Sequence, residues 1–228
     1  MSKIIFFDSG PIISLVMSRL VGILPQLKAK FQGEFYITPA VYRELIGRPL
    51  NIKRFEFEAL QVLQLVNQGT IKIYSQVPEE KVRELITLAN TSFSIQGRNM
   101  DIIQEGEMQS VACALQTKAQ ALVMDERTLC LLMENSAGMV NLLKSRFQNN
   151  VIANNQNITK FTKQISSIPV LRSLELVGVA YKMGLLDSYV PQQKDGRKVL
   201  LDAVLWAVKT NGCAATQDEI EDLKRVLL

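Results

Sequence analysis

Histidine does not occur once in the 228 residues. That absence removes Ser-His-Asp and Cys-His nucleophilic catalysis, histidine-based proton transfer and histidine-ligated zinc. Cysteine is sparse, and Cys113, Cys130 and Cys213 fit neither a disulfide framework nor a metal-ligand spacing. Each sits among apolar neighbours and reads as a small buried residue of a reducing compartment, which points to the cytoplasm. No apolar stretch is long enough to span a bilayer. The N-terminal run IIFF is broken at once by Asp8, so no secretory signal is expected. A hydrolase built from this set is left with carboxylates and a metal.

What is present supports a sizeable core, with 47% hydrophobic residues. Lys and Arg exceed Asp and Glu by 26 to 22, a formal charge of +4. That balance fits a polyanionic partner without requiring one. Short apolar runs alternate with helical patterns. KIIFF (3–7), EFYIT (34–38), TIKIY (70–74) and ALVM (121–124) read as strands. Helices are expected from Pro11 to about Leu20, over AVYRELIG after Pro39, at roughly 54–67, from Pro78 to about Asn90, at 105–117 and at 126–134. TSFSIQGRN (91–99) reads as a loop. This strand–helix alternation implies an α/β fold with a mainly parallel central sheet. The segment 134–167 breaks the rhythm: it is Asn/Gln-rich, carries Lys144, Arg146, Lys160 and Lys163, and reads as a helical insertion. IPVLR (168–172) reads as the last strand, followed by a helix to about Gly184, a loop at 189–197, a helix at 198–210 and a final helix capped by Thr216.

Four acids stand where such a fold gathers function. Asp8 and Asp125 each end a strand, Glu107 opens the helix before the second of these, and Glu44 lies in the helix after the second strand. Each has a plain structural alternative. Asp8 and Asp125 are good helix N-caps, Glu107 suits a helix N-terminus, and Glu44 faces Arg48 at i+4. Four converging carboxylates repel one another unless a divalent cation joins them. Oxygen ligands suit Mg²⁺ or Mn²⁺, and a metal-acidified water can attack a phosphodiester without histidine.

FFDSGPIISL, TPAVYRELIG and GEMQSVACALQTKAQALVMDERT resemble the successive motifs of a PIN domain. The resemblance covers about 3–133 and runs more loosely into VLRSLELVGVAYKMGLLD. It implies a three-layer α/β/α PIN-like fold, one domain over 1–228, with the insertion at about 134–167 and the last strand and C-terminal helices at 168–228. It also implies a Mg²⁺- or Mn²⁺-dependent endoribonuclease that hydrolyses RNA. Asp8, Glu44, Glu107 and Asp125 match the metal-holding, catalytic acids. Ser9, Glu126 and Arg127 match accessory positions, and Glu105 is a poorer alternative to Glu107. The setting is RNA processing or a toxin–antitoxin pair, the latter bringing an antitoxin-like protein as partner. The amphipathic C-terminal half is compatible with a homodimer. A catalytically quiet PIN-fold module that binds RNA or protein is the alternative. A haloacid-dehalogenase-type phosphotransferase needs a second acid two residues after the first, and that position is Gly10.

Overall fold

The computed structural model describes residues 3–134, 136–147 and 151–228. Strand β1 (Ile4–Phe7) leads into helices α1 (Ser9–Met17) and α2 (Ile23–Phe31). Strand β2 (Glu34–Ile37) leads into α3 (Pro39–Tyr42), a π-helical turn (Arg43–Gly47) and α4 (Glu56–Asn67). Next come β3 (Lys72–Ile73), α5 (Glu79–Asn90), β4 (Phe93–Ile95) and β5 (Arg98–Asn99). They are followed by α6 (Glu105–Thr117), β6 (Ala121–Val123), α7 (Arg127–Glu134), α8 (Ser136–Phe147), β7 (Val151–Ala153) and α9 (Asn155–Ile165). The last elements are β8 (Val170–Leu171), α10 (Ser173–Lys182), α11 (Gly196–Thr210) and α12 (Gln217–Leu227).

The central sheet has five parallel strands in the order β3-β2-β1-β6-β8. Because successive side chains point to opposite faces, the apolar run of β1 feeds two cores. Ile5 and Phe7 join Phe35, Ile37 and Val123 under α1, α2, α4, α10 and α11. Phe6 and Leu122 face the other way, under α5, α6, α7, α8 and α9. Helices on both faces of a parallel sheet make three layers, and they explain why the neighbouring strands β1 and β6 are apolar at every position. Phe7 is fully buried, and its ring centre lies 5.0 Å from that of Phe35. Truncating such a side chain to alanine typically costs about 3–5 kcal/mol. The carboxylate next in the chain, Asp8, is thereby anchored at the end of a buried central strand.

Three readings of the sequence change. Residues 91–99 are not a loop: β4 and β5 form an antiparallel hairpin around Gln96 and Gly97, whose φ angles are 49° and 77°. Two consecutive left-handed residues make the tight turn that suits a hairpin, and Gly97 takes that conformation without strain. The insertion is helical, and it also supplies β7, which pairs antiparallel with β4 in a second small sheet. Its Leu143, Val151, Ile158, Phe161 and Ile165 belong to the second core, while Lys144, Arg146, Lys160 and Lys163 face solvent. Residues 148–150 of its Asn-rich stretch lie outside the described residues. The helix expected from 39 to 47 splits, its second half winding as a π-turn. Cys113 and Cys213 are buried; the side chain of Cys130 lies outside the described residues. Among the described residues no helix is long and apolar enough to cross a membrane.

Candidate active site

Asp8 directly follows β1, and Asp125 lies two residues beyond β6. The strands are neighbours, with Phe7 opposite Val123, and the Asp8 N–H donates to the Val123 carbonyl at 2.9 Å. From β1 the sheet grows to β2 and β3 on one side and to β6 and β8 on the other. Such a reversal of strand order opens a crevice outside the carboxyl ends of the strands. A cavity of about 300 Å³ opens there, lined by Asp8, Glu44, Glu107, Asp125 and Glu126 together with Ser9, Gly10, Gln104 and Gly212. Among the described residues no basic side chain lines it.

Each acid arrives by its own local device. Asp8 takes the N-cap position of α1 without a side-chain capping hydrogen bond. Burial, first of all, raises it to about 6; repulsion from Glu44 and Asp125 adds to that, and the N–H groups of Ser9 and Gly10 oppose it. Ser9 thus supports the acid through its backbone. Glu44 sits in the π-turn, where the Arg48 N–H donates to the Arg43 carbonyl five residues back. That wider winding changes which residues stack along the helix, and Glu44 and Arg48 form no ion pair. A Cβ on Gly106 would lie 2.9 Å from Glu44 Oε1, so the missing side chain leaves room for the carboxylate. Gly106 is in the first turn of α6, where unpaired N–H groups favour an anion.

Glu107 accepts a hydrogen bond from the Gln104 N–H at 3.2 Å, the helix-capping role its position suggests. Burial, then repulsion from Glu126, Asp8 and Glu44, pushes it up to about 8. Asp125 does not cap the helix that follows it. Glu126 does, accepting from the Leu129 N–H at 2.6 Å. Asp125 instead accepts from the Ser173 N–H at 2.7 Å, the Ser173 hydroxyl at 2.8 Å and the Ser14 hydroxyl at 2.9 Å. Arg127 is exposed and does not line the cavity. Glu105 is also exposed and outside it, accepting from Gln109.

Ser14, Gln104, Ser173 and Gly212 were not legible as site residues. Ser173 lies two residues beyond β8, as Asp125 lies two residues beyond β6, so a polar residue just past a strand is the signal that could have found it. Gly212 carries no such signal; the turn after α11 brings it in, with φ of 132° and Ser14 Oγ 3.1 Å from where a Cβ would stand.

Among the described residues no three acidic or cysteine side chains stand together as a ready-made cation cage. The carboxylates ring the cavity instead. The donor set still fits a hard divalent cation: all oxygen, several negative charges, and no basic group to compete. Mg²⁺ keeps several of its waters, so a ring wider than a bare-ion cage suits it. Burial first, and repulsion among the acids after it, raises Asp8 and Glu107, and a bound cation would offset both.

A family model described as a PIN domain matches residues 4–132. No curated protein and no solved structure matches the chain.

Proposed function

The chain belongs to the PIN-domain family, a nuclease-type family, and we propose that it is a Mg²⁺- or Mn²⁺-dependent endoribonuclease. The observation that carries this reading is the convergence of Asp8, Glu44, Glu107 and Asp125 on one cavity that no basic side chain lines among the described residues. Those four would hold the cation. When bound, the metal supplies an acidified water and positive charge for phosphodiester hydrolysis. The chain's own residues do the rest. Ser14 and Ser173 fix the direction of Asp125, Gly106 leaves Glu44 its place, and β1 and β6 hold the two aspartates side by side. With no basic side chain of the described residues in the cavity, a substrate phosphate would depend on the metal for its charge partner. We further propose that residues beyond 132 belong to the same domain, because Ser173 and Gly212 reach the acids.

The test is cleavage of single-stranded RNA with Mn²⁺. Wild type is expected to cut, and Asp8→Asn or Asp125→Asn to abolish cutting while the fold survives. Unchanged cleavage in both variants would overturn the proposal. A catalytically quiet binding module has one observation in its favour: Asp125, Glu126 and Glu107 all accept protein hydrogen bonds. A folded wild type that binds RNA and cuts nothing with any divalent metal supports that reading instead.

A further inference from the structure

A groove of about 560 Å³ adjoins the acidic cavity and shares Glu44 and Gly212 with it. That volume lies within the ~300–1,000 Å³ of small-molecule sites. Its walls are mostly apolar, from α1, the π-turn and α4, with Phe55 and Met17 at 39% and 47% exposure. Glu44, Thr210 and Asn211 add polar groups at its edge, and one further polar atom is left without a partner. Glu58 lines the groove, and its Oε2 is shielded from water without accepting a hydrogen bond. A buried acceptor without a donor is costly, so this oxygen marks a position that an N–H from outside can fill.

We propose that the groove is a base-recognition subsite that takes guanine from the bound strand, stacked against Phe55 and hydrogen-bonded through its ring-edge N–H groups to Glu58. The inference rests on the nuclease reading, which brings a strand to the neighbouring acids. A base has two apolar faces and a polar edge, which are what the groove offers partners for. Aromatic side chains stack bases, and single-stranded RNA is read along base edges in this way. Guanine carries two adjacent N–H donors, matching the two oxygens of a carboxylate; adenine offers a single amino group. A hydrocarbon side chain would fill the apolar walls and leave Glu58 unpaired. The Arg54 guanidinium lies 5.3 Å from the centre of the Phe55 ring, which itself lines the groove, and Arg54 forms no ion pair among the described residues.

Two measurements separate this inference from the reading beneath it. In Mn²⁺, cleavage sites are mapped on an RNA of mixed sequence. Cutting beside guanine is expected to exceed cutting beside adenine by about tenfold, as one bidentate base contact gives. Glu58→Gln brings that ratio near one, and Phe55→Ala weakens both. In metal-free buffer, guanosine and adenosine are titrated while the methyl signals of Ile13, Val16 and Leu45 are followed by NMR. Guanosine is expected to shift them and adenosine to do so far less. RNA cleavage with no base preference, or a preference that Glu58→Gln leaves intact, overturns the inference while the nuclease reading stands. If no RNA is cut, that reading falls and the guanosine titration alone decides the subsite. Methyl signals that respond to a leucine-rich amphipathic peptide and to no nucleoside assign the groove to a protein partner and overturn it.

Discussion

Ser173 donates twice to Asp125, its backbone N–H reaching Oδ1 at 2.7 Å and its hydroxyl reaching Oδ2 at 2.8 Å. The bond ties the end of β6 to the start of α10 in a fully buried setting, and Ser14 adds a third donor from α1. A carboxylate held this way keeps one orientation toward the cavity. Ser173→Ala removes the hydroxyl and leaves the N–H. Outer partners of a ligating group typically matter by about 10- to 100-fold in metal affinity. Mn²⁺ affinity is expected to fall within that range, with a stability loss of about 1.5–3 kcal/mol for the bond to a charged group. Ser173→Thr restores the affinity. Calorimetric titration checks it, and an affinity that Ser173→Ala leaves unchanged would remove Ser173 from the site.

Gly106→Ala separates site from stability. The new Cβ meets the flexible end of Glu44, so the side chain moves and the backbone does not. Alanine in place of glycine in a helix also favours folding by up to about 1 kcal/mol. The expected variant melts at the same or a higher temperature and binds Mn²⁺ more weakly. Equal Mn²⁺ affinity would show that Glu44 has no fixed place.

The metal-free protein should lose stability as pH rises. Asp8 is held at about 6 against an ordinary 3.8, and Glu107 at about 8 against 4.5. The folded state therefore binds more protons than the unfolded chain between those values, and stability falls with pH across that window. Glu34, Glu84 and Glu219 are shifted down and act at more acidic pH. Thermal melts in chelator are expected to decline from about pH 5 to about pH 8 and then level off. Saturating Mn²⁺ reverses the trend, since metal competes with protons for the same oxygens. A metal-free melting temperature that climbs through the window contradicts the crowded-carboxylate account.

Much of the fold was legible because a doubly covered parallel sheet writes itself as short, continuous apolar runs. KIIFF and ALVM are such runs, and the acids after them mark the crevice. Helix α6 was equally readable, bounded by Glu105 and Thr117 as its pattern predicts. The π-turn was not, because i and i+4 residues look alike in either winding. The hairpin at 93–99 hid behind polar residues, since only one of its strands, β4, points an aromatic into the core. The true partner of Asp125 was hidden too. A carboxylate before a helical run reads as that helix's cap, and nothing local says that the donor lies 48 residues away.

Titration of Mn²⁺ into wild type and Asp8→Asn, each shown folded by circular dichroism, tests the central claim most directly. The account predicts saturable binding by wild type and its loss in Asp8→Asn. The variant is also expected to be the more stable of the two without metal at pH 8, since it lacks the buried, repelled charge. Equal binding by the two proteins, or no binding by folded wild type at millimolar Mn²⁺, would contradict it.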